Sequence, residues 1–142
     1  MSSAGYSGAP LAKKLGLSDG QVSLLIGVPA DLAEITAFPG FAQVTTSVES
    51  ARWRGCDYVH VFATERGALE SLSVPLAARL KPGGMMWISW PKRASGVATT
   101  LSEDRLREIF LPLGLVDVKV CAVDATWSGL KFMFRKEVRG AL

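Results

Sequence analysis

The chain has 142 residues, 49% of them hydrophobic and 20% charged, with a formal net charge of +3. That size allows one ordinary domain with a sizeable core, since chains of this length bury about 68–70% of the surface that their unfolded form exposes. The composition excludes a disordered chain, and so small a positive balance permits an anionic ligand without calling for nucleic acid.

The opening MSSAGYSGAP is small, polar and glycine-rich, with neither a cationic leader nor an apolar core of a signal peptide. Tyr6 within it is a candidate flap residue or simply part of a loose terminus. PLAKKL, residues 10 to 15, predicts a short helix ended by Gly16. QVSLLIGV follows, and its unbroken apolar run predicts a strand covered on both faces. Residues 31 to 37 read as a short helix, 41 to 48 as a second strand, and ESARWRG as a turn or short helix. CDYVHVFAT is a third strand. Residues 65 to 80 read as helix, with Pro75 predicting a kink or a fresh start capped by Ser73. KPGG predicts a sharp turn before MMWISW, a fourth buried strand in which Met85 and Met86 are core fillers.

A cationic, glycine-bearing loop, PKRASGV, then leaves the sheet. Ser102 is a good N-cap, with Glu103 and Asp104 in the favoured first turn, and Gly114 ends that helix. LVDVKVCAV and LKFMFRKEV predict a closing hairpin joined by DATWSG, the cations of the tail forming a solvated strand face. Alternating strands and helices predict a mostly parallel sheet covered on both sides.

Cys56 and Cys121 each lie in an apolar run, which predicts core thiols in a reducing compartment. No apolar stretch approaches the ~18 residues of a membrane span. A cytoplasmic location with no membrane partner is therefore expected. The one histidine, His60, sits mid-strand, facing away from Val59 and Val61. It reads as a buried histidine with a hydrogen-bond partner before it reads as a general base. Cys56, His60 and Cys121 lack the spacing of a zinc site, so no metal is expected.

The second half, with CDYVHVFA, RLKPGGMMWISWP, EDRLREIFLPLGLVDVKV and WSGLKFMFRK, resembles S-adenosylmethionine-dependent methyltransferases. The resemblance implies a Rossmann-like three-layer α/β sandwich with an antiparallel C-terminal strand. The first half departs from that family. GVPADLAEI stands where a glycine-rich loop is expected, with Gly27 alone and Pro29 removing an amide. Glu49 is a weak candidate for the acidic residue on the ribose, and about one strand and helix are missing before residue 56. Over nearly the whole chain, AGYSGAPLAKKLG, SWPKRASGV and VDVKVCAVDATWSGLK resemble a bacterial domain-of-unknown-function family, a resemblance that carries no assigned activity.

Ligands of open parallel sheets bind outside the carboxyl ends of the strands. Lys92, Arg93, Ser95 and Gly96 follow the fourth strand, and Asp124, Thr126, Trp127, Ser128 and Gly129 occupy the last turn. Together they form a candidate anion-binding lip: two cations, a hydroxyl, backbone amides and a stacking face. An ordinary solvated loop is the alternative. Thr64, Glu65 and Arg66 border the family's reaction site, where Glu65 is a candidate base or a plain first-turn helix residue. The expectation is a non-catalytic module that binds a small anionic ligand or a protein partner and needs no cofactor. The alternatives are a methyltransferase with an atypical S-adenosylmethionine site, and a structural subunit that dimerises through a bare sheet edge.

Overall fold

The computed structural model describes residues 10–142. Its strands are β1 (Val22–Ile26), β2 (Gln43–Thr45), β3 (Cys56–Phe62), β4 (Leu80–Pro91), β5 (Leu115–Ala122) and β6 (Trp127–Phe134). Its helices are α1 (Leu11–Leu15), α2 (Ala33–Thr36), α3 (Arg66–Arg79), α4 (Glu103–Phe110) and α5 (Lys136–Arg139). The strands join in the order β2-β1-β3-β4-β6-β5. β2, β1, β3 and β4 run parallel, and β6 is antiparallel to both of its neighbours. This is the expected Rossmann-like α/β topology with an inserted antiparallel strand and a short first half.

Two apolar layers follow from strand alternation. Val59, Val61, Met86 and Ile88 point to one face, where Leu69 and Leu76 of α3 and Leu106, Ile109 and Phe110 of α4 cover them. Tyr58, Phe62 and Trp87 point to the other, under Leu11 and Leu15 of α1 and Ile35 of α2. β3 is thus buried on both sides, His60 included. Cys56 and Cys121 are free, buried, and on opposite faces.

Several local expectations are corrected. α3 runs through Pro75 without interruption. The amide that proline lacks would have met the carbonyl of Ser71, which lies on the exposed side of the helix. Ser73 is buried and does not cap; its hydroxyl donates to the Glu70 carbonyl at 2.8 Å. KPGG is not a turn but a bulge inside β4, because pairing jumps from Cys56↔Leu80 to Tyr58↔Met85. Gly84 is needed there, since a Cβ would lie 2.8 Å from the Cys56 carbonyl. Asp57, opposite the bulge, pairs with Lys81 at 3.0 Å and accepts the Val22 amide at 2.8 Å. β2 keeps only three residues of the expected 41–48 strand. The tail is not strand beyond Phe134: Arg135 donates its amide to the Gly114 carbonyl at 3.0 Å, and α5 follows. Ser102 caps α4 as expected, accepting the Arg105 amide at 3.3 Å. No helix among the described residues is long and apolar enough to cross a membrane.

Candidate functional site at the carboxyl edge

The loop after β4 and the β5–β6 hairpin do meet. The Lys92 amide donates to the Thr126 carbonyl at 2.8 Å, and Pro91 pairs with Trp127. The hairpin is tighter than the DATWSG turn expected, however. The Asp124 carboxylate accepts the amides of Thr126 and Trp127, each at 2.8 Å, and β6 begins at Trp127. Trp127, Ser128 and Gly129 are therefore sheet residues. They also alternate across the sheet: Ser128 pairs with Trp90 of the α3–α4 face, while Trp127 packs edge-on against Phe62 of the other, ring centres 5.0 Å apart. Gly129 leaves room for Trp87, whose ring a Cβ would meet at 3.1 Å.

The cationic loop forms a short 3₁₀ turn over Arg93–Ser95, closed by Gly96 at φ +76°. The Ser95 hydroxyl donates to the Lys92 carbonyl at 2.6 Å and accepts the Val97 amide at 3.2 Å. Ser95, Gly96 and Asp124 thus shape their turns, and the two cations are what the loop presents. Arg93 is exposed, and no ion pair among the described residues engages it or Lys92. Arg93, Gly96 and Val97 line a cleft of about 370 Å³ with Trp90, Thr99 and Ser102. Thr99 and Trp90 escaped the sequence reading, since nothing local distinguishes them. A larger cleft, of about 740 Å³, runs along α4 from Asp104 to Gly114 and Arg135.

Behind the edge sits a buried polar chain. His60 is fully buried; its Nδ1 lies 2.7 Å from the Tyr58 hydroxyl and its Nε2 2.7 Å from Ser89 Oγ. Its ring stacks on Phe62, centres 4.6 Å apart. Burial lowers its pKa to about 3, so the ring is neutral and one nitrogen donates while the other accepts. The expected single partner becomes two. Tyr58 was legible, two residues away on the same strand face, whereas Ser89 was not. Burial also raises the thiols of Cys56 and Cys121, which marks them as core residues. Among the described residues no group of His, Cys, Asp and Glu converges to hold a metal ion.

Glu65 precedes α3 without capping it and is exposed. Thr64 lends its carbonyl to the Thr99 hydroxyl at 2.6 Å, and Arg66 pairs with Glu70 and Glu108. Tyr6 lies outside the described residues.

The fold is that of the Rossmann-like methyltransferases. Among solved structures the chain is similar to a SAM-dependent methyltransferase from Aquifex aeolicus, with TM-score 0.60, 14% identity, and 88% of each chain covered. It is similar also to a putative type 11 methyltransferase from Sulfolobus solfataricus, with TM-score 0.61, 12% identity, and 89% of this chain and 90% of that one covered. A third is magnesium protoporphyrin IX methyltransferase from Synechocystis with bound SAM, at TM-score 0.58 and 10% identity, covering 88% of this chain and 74% of that one. No family model and no curated protein matches the chain.

The residues after β1 fit S-adenosylmethionine poorly. Gly27 keeps a positive φ of +70°, but its close approach is made to the protein itself: a Cβ would lie 2.8 Å from the Phe62 carbonyl. Pro29 offers no amide, and its carbonyl is taken by Leu32. β2 ends at Thr45, and Glu49 lies beyond it on an exposed 3₁₀ turn. Gly27→Ala combines a left-handed φ with a backbone clash, so a loss of at least about 2 kcal/mol in urea unfolding is expected. A variant as stable as wild type would show that this approach is not constrained.

Proposed function

We propose that the protein is a non-catalytic, methyltransferase-like binding module of the cytoplasm that takes a small anion at the carboxyl edge of its sheet. The reading rests on one observation: Arg93 lines a cleft of about 370 Å³ next to Lys92, whose amide is tied to the Thr126 carbonyl, and no ion pair among the described residues engages either cation. Trp90 and Val97 supply apolar walls, and Ser102 supplies a hydroxyl, the Thr99 hydroxyl being spent on the Thr64 carbonyl. Such a mixture suits a small ligand with one anionic group.

Calorimetric titration with a set of small carboxylate and phosphate anions tests it. The Lys92→Ala, Arg93→Ala double variant is expected to bind the preferred anion at least roughly tenfold more weakly, the loss of two charge-assisted contacts. Undiminished binding removes the lip as the site. A methyltransferase with an atypical cofactor site is the second reading, favoured by the fold. Micromolar binding of S-adenosylmethionine would establish that reading over the first, and none up to millimolar concentration would remove it.

A further inference from the structure

We propose that the β5–β6 surface beside α1 binds a phosphate-bearing anion between Lys119 and Lys131. These lysines sit directly opposite one another on adjacent antiparallel strands. Opposed residues have Cβ atoms about 4.5–5.5 Å apart, and like charges there repel. The pairing is produced by a bulge. β5 and β6 pair in one register from Leu115↔Phe134 to Asp117↔Phe132 and resume at Lys119↔Lys131, leaving Val118 extra. Without the bulge Val118 would oppose Lys131. A bulge of this kind re-aims side chains and is a built feature of a sheet.

The two cations have no anionic neighbour. No ion pair among the described residues engages Lys119 or Lys131, and Asp117, the nearest carboxylate along β5, is bound to Arg107 of α4 at 3.2 Å. Lys131 is half-buried, pairing with Trp87 on its other side, and burial and the Lys119 charge both lower its pKa. Lys119 Nζ donates to the Lys14 carbonyl at 3.3 Å, while Lys14 Nζ donates to the Ala122 carbonyl at 3.1 Å. α1 thus brings a third ammonium to the same surface. A dianion with several acceptor oxygens offsets the repulsion and bridges the ammoniums; a monocarboxylate supplies half the charge. The site needs neither the lip cations nor the proposed function.

The experiment is thermal unfolding and calorimetry with pyrophosphate, against sodium chloride at matched ionic strength. Pyrophosphate is expected to bind with a Kd of roughly 0.1–1 mM and to raise Tm by several degrees at saturation. Lys131→Met is expected to unfold at a higher temperature than wild type without the anion, and to lose the pyrophosphate shift. Lys119→Gln, an exposed change, should weaken binding at least tenfold and serves if Lys131→Met misfolds. The Lys92→Ala, Arg93→Ala variant should keep the shift. A wild-type shift no larger than with chloride overturns the proposal. So does a full shift in Lys131→Met or Lys119→Gln, or a shift lost only in the Lys92, Arg93 variant.

Discussion

Trp87→Ala is expected to cost about 3–5 kcal/mol in urea unfolding, the range for emptying a buried tryptophan site. In a domain whose total stability is of order 5–15 kcal/mol, that is a large share. Trp87 is completely buried at the middle of β4, and its indole N–H donates to the Leu15 carbonyl at 2.9 Å across 72 residues of sequence. Leu15 is the last residue of α1, where helix carbonyls lack intrahelical partners. One side chain therefore fills the layer under α1 and satisfies its end. Trp87→Phe separates the two roles. It keeps most of the volume and leaves a buried carbonyl unmet, for an expected loss of about 1–3 kcal/mol. Hydrogen exchange should then rise first in residues 11 to 17. A Trp87→Phe variant with wild-type stability and protection would mean that the hydrogen bond contributes nothing.

The second large effect is acid destabilisation through His60. Its folded pKa is about 3, below the ordinary value of 6.5. Between those values the unfolded chain binds a proton that the folded chain does not. Stability is therefore complete above pH 6.5, falls by about 1.4 kcal/mol per pH unit as pH drops toward 3, and levels below it. The full loss is about 5 kcal/mol. His60 is the only histidine of the chain, and carboxylates titrate mainly nearer pH 4. The slope between pH 6.5 and 5 therefore reports on this residue. Urea unfolding at pH 7.0, 6.0 and 5.0 checks it, and a flat profile would rule the buried neutral ring out. His60→Gln should flatten that slope while losing stability at pH 7. Ser89→Ala should cost about 1–3 kcal/mol, since it leaves one ring nitrogen without its partner.

The candidate lip was partly legible. That the loop after β4 and the hairpin meet followed from strand direction alone, and the Lys92–Thr126 bond is that meeting. That Ser128 lies on the opposite sheet face from Trp127 depended on where the hairpin closes. The Asp124 carboxylate tightens the turn and moves the start of β6 to Trp127, so alternation begins three residues earlier than the DATWSG reading allowed. Pro75 and KPGG misled for a related reason. Each is a strong local breaker, and each was overridden by packing: Leu69 and Leu76 hold α3 on the sheet on both sides of the proline, and Cys56 and Tyr58 hold β4 on both sides of the bulge.

By itself the sequence determined the order of strands and helices as far as the last strand, the cap at Ser102 and the glycine stop at Gly114. These depend on periodicities of about 2 and 3.6 residues and on φ preferences, which act within a few neighbours. Only the tertiary structure decided that His60 lies between Tyr58 and Ser89, that Trp87 holds α1, and that Lys119 faces Lys131. Those contacts join residues up to 72 positions apart. Their partners are chosen by strand register, and a single extra residue at Val118 is enough to change which side chain stands opposite which.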